Sequence, residues 1–455
     1  MASAFHSVVQ EKLSEFYEQG VPDVFLRDVS LGEPLVPARA NLVKVLVGVR
    51  RCGKTYRLYQ EMHRILDAGK SLRSILYFNF DDERLKPYDA SVLDDVVETY
   101  YAMNPWAKSE GAYFFFDEIQ EIPDWGTFMR RMVDTQVATI YVTGSSSKML
   151  SSQIASEFRG RALSREIFPM SFSEFVRFHG YGAGQLGGLG DEGGATSEVR
   201  AKLRHALSRY LTEGGFIAAQ NLEPSDATQL LQEYANRTVN YDVMERYNVG
   251  NPRAASLFLA RCLASSGREL SLTKAYNDFK SRRVSIGREA LSRLLSYYEE
   301  SYLLFSVKSY GVALADNPRS SAKVYAADPS LFGAFSPAPA SDKGQRLETA
   351  VFNKLLREKP SVRQGAISRA FVGEGSQRQE IDFVVGDAMA LERVKLVQVS
   401  CSLADPSTRK REMRALEAAM PQFDTEEAWI VTMDEGEEVQ TPAGCIHIVP
   451  AWEWL

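Results

Sequence analysis

At 455 residues, 45% hydrophobic and 25% charged, the chain has material for roughly three packed domains. A formal net charge of −6 excludes wholesale coating of nucleic acid and leaves room for a local basic site. Cys52, Cys262, Cys401 and Cys445 show no C-x-x-C spacing and read as reduced thiols, and the five histidines make no metal-ligand spacing, so no zinc site is expected. No apolar run approaches the roughly eighteen residues a membrane helix needs, and the N-terminus, with Glu11, Glu15 and Glu18, lacks a secretory pattern. A cytoplasmic protein without membrane contact is expected.

Val8, Val9, Leu13, Phe16 and Tyr17 recur at helical spacing within the first forty residues, an adaptor leading into the core. The strand-like Val43–Val47 then runs into Gly48-Val49-Arg50-Arg51-Cys52-Gly53-Lys54-Thr55, a complete G-x-x-x-x-G-K-[ST] phosphate loop opening a helix that carries Tyr56, Leu58, Tyr59, Met62 and Ile65. Backbone N–H groups of such a turn converge at the positive end of a helix dipole, where triphosphate oxygens fit. Gly48, Arg50, Arg51, Cys52, Gly53, Lys54, Thr55 and Tyr56 are therefore the expected ATP-binding residues. Lys54 reaches the outer phosphates and Thr55 holds Mg²⁺.

A second buried strand, Ser74–Phe80, ends at Asp81 and Asp82. In Tyr113-Phe114-Phe115-Phe116-Asp117-Glu118 an apolar strand delivers two carboxylates, the Walker B pattern. Asp117 would hold Mg²⁺ and Glu118 would polarise the attacking water. The strand Ala138–Gly144 leads into Ser145, Ser146 and Ser147, small hydroxyls placed to sense a γ-phosphate. Arg159 and Arg161, just before a strand through Phe168, are candidate fingers on a phosphate, within the chain or from a neighbouring subunit of a homo-oligomer.

These motifs, with Thr143-Gly144-Ser145-Ser146, Gly160-Arg161 and Phe168-Pro169-Met170-Ser171-Phe172-Ser173-Glu174-Phe175, resemble the AAA-superfamily ATP-binding proteins of bacteria and archaea that carry a C-terminal domain of unknown function. The resemblance continues through Tyr210–Phe216 and Lys323–Asp328 to Gly344–Glu348 and covers most of the chain. It implies an α/β ATPase core, a middle helical region with a winged helix, and a C-terminal fold like that of restriction endonucleases.

Glycines from Gly182 to Gly194 cannot pack a core and read as a flexible surface linker or a loop insertion. Asn251-Pro252 starts a helix through Leu257, Phe258, Ala260 and Leu263, followed by one through Ala275, Tyr276 and Phe279 and a third through Leu291, Leu294, Leu295 and Tyr298. With Leu303–Val307 as a strand, these fit a winged helix-turn-helix. Lys280, Arg282, Arg283, Arg288 and Arg293 cluster at its third helix, where a DNA reader carries phosphate contacts. Double-stranded DNA, or alternatively a protein, is the expected partner of this face.

In the last region Glu348 lies on a helix, Asp382 on one strand and Gln398 on the next, the layout of a metal nuclease. Its lysine position holds Ser400. Strand parity turns Lys395 to the opposite face, and Lys410 lies on the following helix. A degenerate, non-cleaving domain is expected.

The expected architecture is an α/β P-loop core over 1–179, a glycine-rich linker or loop over 180–198, a helical and winged-helix region over 199–335 and a restriction-endonuclease-like α/β domain over 336–455. The expected activity is Mg²⁺-dependent ATP hydrolysis controlling the later domains. The alternatives are a nucleotide-gated adaptor with little turnover, or an ATP-licensed nuclease.

Overall fold

Four short apolar runs and a more polar fifth strand form the parallel sheet that carries the phosphate loop: β1 (Val43–Val47), β2 (Ile75–Asn79), β3 (Ala112–Asp117), β4 (Ala138–Thr143) and β5 (Ala162–Glu166). Their spatial order is β2-β3-β4-β1-β5, with every pairing parallel. The computed structural model describes all residues except 1, 83, 85, 87, 90, 145–157, 159, 182–195, 311–321, 337–341, 359–365, 374, 376–377 and 387–392. The chain divides into two units, Met1–Phe168 and Pro169–Leu455. The division falls ahead of the glycine run, whose Gly182 to Gly194 lie outside the described residues.

In the first unit β1, β3 and β4 are buried along their whole length, which is why they read as apolar runs without alternation. The sheet is packed by α1 (Ala2–Gln19), α2 (Lys54–Asp67), α3 (Val92–Met103) and α4 (Trp125–Thr135). Phe115 stacks on Tyr141 of the neighbouring strand at 4.5 Å, and Tyr100 meets Phe114 edge-on. Of the expected apolar positions of α1, Val9 and Leu13 are fully buried and Val8, Phe16 and Tyr17 half-buried. A buried ion pair within α2, Arg57 with Glu61, is completed by the Tyr141 hydroxyl and by the Val29 carbonyl, which ties the helix to β4 and to the N-terminal segment. All partners are satisfied, the condition under which buried charge is tolerated.

The second unit opens with α5 (Phe172–Phe178), α6 (Ser197–Glu213) and α7 (Pro224–Thr238). Next come α8 (Pro252–Leu263), β6 (Arg268–Leu270), α9 (Leu272–Ser281), α10 (Arg288–Glu300), β7 (Leu304–Val307) and β8 (Ala322–Ala326), the strands forming one antiparallel sheet in the order β6-β8-β7. Asn251 caps α8 by accepting the Ala254 N–H, with Pro252 in the first turn, as its sequence predicts. After α11 (Pro329–Phe335) the chain makes α12 (Lys343–Glu358), β9 (Ile367–Val372), β10 (Gln379–Val385), β11 (Lys395–Val399), α13 (Pro406–Gln422), β12 (Glu427–Thr432), β13 (Glu437–Thr441) and β14 (Gly444–Pro450). β9, β10 and β11 form an antiparallel meander, and α13 crosses over to β12, which lies parallel to β11. Leu416, Ala419 and Met420 of α13 pack against Ile381, Leu396 and Ile430.

Several motifs behind the family resemblance meet in one structural knot of this unit. Gly214 has φ 67°, and a Cβ there would lie 1.9 Å from the Asp328 carboxylate. The Gly215 N–H donates to Asp328 at 2.8 Å, and the Gly215 carbonyl accepts the Met170 N–H at 2.8 Å. Arg346 reaches back to the Leu211 carbonyl. These residues hold helices and strands together rather than carry chemistry.

Candidate nucleotide site

β1 stops at Gly48 because the backbone there must do what only glycine allows. Its φ is 149°, and a Cβ would stand 2.0 Å from the Ile167 carbonyl. Arg51 (φ 67°) and Gly53 (φ 101°) turn the chain through left-handed conformations into α2, with Gly53 as its N-cap. This gathers backbone N–H groups at the positive end of a 14-residue helix. The Lys54 ammonium bonds the Gly48 and Val49 carbonyls at 3.1 and 3.3 Å, so it is fixed over the first turn of the loop.

β4 separates β1 from β3, yet the ends of these strands meet. The Thr55 hydroxyl donates to Asp117 Oδ2 at 2.8 Å, joining residues 62 apart in sequence. Three further groups donate to the same carboxylate: Thr143 to Oδ1, and Tyr77 (3.2 Å) and Asn79 (3.4 Å) to Oδ2. All four donors are uncharged. Asp117 is fully buried, and its pKa is raised, by burial first and by the charge of Glu118 second, although Thr143, Thr55 and Lys54 pull it down. A buried carboxylate held by neutral hydroxyls, with a hydroxyl of the phosphate loop on one of its oxygens, is a hard-oxygen donor set that fits Mg²⁺.

Glu118 follows in a left-handed conformation (φ 54°), its N–H donating to the Thr143 hydroxyl and its carboxylate accepting from the Gln120 amide at 2.6 Å. The turn lifts its side chain, half-buried, beside Asp117. Cys52 is buried, and burial pushes its thiol pKa up, so the loop cysteine is a packing residue. Tyr56 is exposed on the first turn of α2, and Arg50 and Arg51 lie half-buried and exposed on the loop.

The structure does not bring Arg161 to this site. It precedes β5, its carbonyl accepting the N–H of Val43, the first residue of β1, so it stands at the amino edge of the sheet and pairs with Asp134. In a parallel sheet the phosphate loop lies at the opposite edge. Ser145 and Arg159 lie outside the described residues. Asp82, expected near the carboxyl edge, is paired with Lys12 of α1 at 2.6 Å and with Arg84.

Sequence reasoning missed Arg27, Tyr77, Asn79 and Thr143. Arg27, 5% exposed, reaches from the N-terminal segment to the Cys52 carbonyl at 3.0 Å and the Phe168 carbonyl at 2.7 Å, bracing the loop from behind. The signal for Tyr77 and Asn79 was available: both lie on the polar-edged face of β2, which pairs in register with β3 at Asn79 and Asp117. At the far C-terminus, Glu438, Cys445 and His447 approach one another across β13 and β14. The nuclease-like layout is altered, since Gln398 is committed to the protein itself, accepting the Asp382 N–H at 2.7 Å and donating to Glu412 at 2.6 Å.

A phosphate loop on one strand, two acids at the end of another and a polar strand end between them define a P-loop domain of α/β fold. Residues 40–176 match the model of an AAA domain, and residues 204–342 match a domain of unknown function (DUF8612), which therefore covers the helical region rather than the C-terminal sheet. The uncharacterized protein MJ1544 of Methanocaldococcus jannaschii is 30% identical over 95% of this chain and 91% of its own length, and the chain belongs to its family. An uncharacterized protein of Haemophilus influenzae is 26% identical over 80% of this chain and 84% of its own. Among solved structures, the Walker-type ATPase PABY2304 of Pyrococcus abyssi is similar over 72% of this chain and 94% of its own, with 14% identity and a TM-score of 0.41. Among the described residues no helix is long and apolar enough to cross a membrane.

Proposed function

We propose that this protein hydrolyses ATP at the Gly48–Thr55 loop. The observation that carries the reading is the 2.8 Å bond between Thr55 and Asp117, which unites the phosphate loop with the Walker B strand. Lys54 and the loop N–H groups neutralise charge on the phosphate oxygens, and Thr55 and Asp117 would hold Mg²⁺, which screens the triphosphate when bound. Glu118 orients the attacking water and accepts its proton as the water oxygen bonds the γ-phosphorus and the bond to the bridging oxygen of ADP breaks. The Gln120 amide holds that carboxylate in place. The experiment is ATP turnover of the parent and of Glu118→Gln. The variant retains ATP binding and loses roughly 10²–10⁴-fold in rate. Equal turnover removes Glu118 from the role.

A second reading concerns residues 252–326, whose order of helix, strand, helix, helix and two strands, with the sheet order β6-β8-β7, supports a winged helix. Lys280, Arg282, Arg283, Arg288 and Arg293 are all exposed at α9, α10 and the turn between them. We infer that this face binds the phosphates of double-stranded DNA, with ATP state in the first unit controlling the second. Binding then weakens steeply with salt, and Arg283→Ala lowers the slope of log affinity on log salt by about 1. No affinity at low salt rejects DNA and leaves a protein partner for this face.

A further inference from the structure

Lys323 sits on β8 between apolar neighbours, and is 6% exposed. Alternation places Tyr325 on its face, and both side chains run into the C-terminal sheet. There the Lys323 ammonium meets Glu348 Oε1 at 2.6 Å, Asp382 Oδ1 at 3.2 Å and Glu380 Oε1 at 3.6 Å. Glu348 comes from α12, while Glu380 and Asp382, two residues apart, share one face of β10. The Tyr325 hydroxyl donates to Glu348 Oε1 at 2.7 Å, and the second oxygen of Asp382 accepts the Val399 N–H at 3.0 Å. Arg369 pairs with Glu380 at 3.3 Å and with Glu269 at 2.7 Å.

Three carboxylates from two elements thus converge on one nitrogen. Convergence of carboxylate oxygens on a single point is what a hard divalent cation requires, and an ammonium, with three N–H donors, can answer it. Burial works against the Lys323 charge, yet Asp382, Glu348 and Glu380 more than offset it and raise its pKa. Burial and the Asp382 charge push the Glu348 carboxyl upward, as expected for acids crowded out of water, while Lys323 pulls it back. The side chains of Lys323, Glu348 and Asp382 are only 8%, 14% and 15% exposed, while that of Glu380, at 35%, lies on the open side of the cluster. Gln398, the remaining candidate ligand, is turned to Asp382 N–H, the Glu380 carbonyl and Glu412.

We propose that Glu348, Glu380 and Asp382 form a divalent-cation site whose ion is replaced within the chain by the ammonium of Lys323, so that the C-terminal sheet is pinned to β8 and does not cleave nucleic acid. Ser400 is then no defect: the lysine of this cluster arrives from another sheet and takes the position of the metal itself. Removing the ammonium must convert the cluster into a true Mg²⁺ or Mn²⁺ site.

The test uses the full chain without nucleotide and carrying Asp117→Asn, which silences the metal donor of the phosphate-loop site. Thermal unfolding is followed in EDTA and in millimolar Mn²⁺. The expected result is an Mn²⁺-independent melting temperature with Lys323 present. Adding Lys323→Ala lowers it by roughly 10 °C in EDTA, as loss of one partner from a buried ion cluster does. Mn²⁺ restores most of the loss, and a further Asp382→Asn abolishes the restoration. Mn²⁺ stabilisation that needs Asp382 while Lys323 is still present overturns the proposal, as does a folded Lys323→Ala chain indifferent to Mn²⁺. If Lys323→Ala does not fold, Lys323→Met combined with Glu348→Gln and Asp382→Asn removes the charges together, and failure of that neutral set to fold overturns it. Plasmid cleavage by the parent chain that Lys323→Ala abolishes also overturns it, since Lys323 would then serve a reaction.

Discussion

Lys54 and Lys323 each stand beside buried acids, but the two clusters are wired in opposite ways. At the phosphate loop the ammonium bonds backbone carbonyls, and Asp117 receives its hydrogen bonds from Thr55, Thr143, Tyr77 and Asn79. In the second unit the ammonium bonds the acids directly. A carboxylate supported by neutral donors keeps an electrostatic demand that an incoming cation can answer, while one closed by an ammonium has already been answered. The position of the lysine, more than the number of acids, separates the proposed reaction centre from the proposed structural ion cluster.

The sharpest way to break this comparison is to neutralise one glutamate in each cluster. Glu118→Gln should cut ATP turnover by roughly 10²–10⁴-fold, while Glu348→Gln leaves it at the parent value. A comparable loss from Glu348→Gln would mean that the two clusters share one reaction. Next in size, Gly48→Ala drives a methyl into the Ile167 carbonyl and should destabilise the first unit by about 3 kcal/mol, read from denaturant midpoints. Arg27→Ala removes the brace behind the loop and should cost about 2 kcal/mol, appearing in nucleotide titrations as weaker affinity that Arg27→Lys does not recover, because one ammonium cannot span both carbonyls.

The smallest effect belongs to the N-cap of α13. Asp405 accepts from Ser407 and Thr408, which hold its pKa down at about 2. A depressed carboxylate stabilises the fold above its unfolded pKa, near 3.9, and that contribution disappears as pH falls toward 2. Asp405→Asn keeps the cap without the titration, so it should flatten the acid limb of an unfolding profile between about pH 4 and 2. An unchanged limb would assign acid sensitivity to other carboxylates.

The phosphate loop and the Asp117–Glu118 pair were legible because each is a local pattern, glycines at fixed spacing or acids closing an apolar strand. The groups that support them were not, because Arg27, Asn79 and Thr143 reach Asp117 or the loop from elements that adjoin only in space. Arg161 illustrates a signal that could have been read. In a sheet whose strands are all parallel, residues that precede a strand and residues that follow one lie at opposite edges, and Arg161 precedes β5 whereas Asp117 ends β3. Parity within β11 correctly turned Lys395 away, and it lies over the rings of Trp429 and Trp454. The lysine that completes the cluster was invisible to that reasoning because it belongs to β8. A charged residue in an otherwise apolar strand was its trace in the sequence.

The left-handed backbone at Glu118 carries a consequence for how this chain can diverge. A β-branched residue is excluded from φ 54° by its own Cβ substituents, while asparagine, aspartate and glycine accept it. Asparagine, aspartate or glycine in place of Glu118 should therefore keep the turn, with Thr143 still holding the N–H, while removing the carboxylate that the proposed reaction uses.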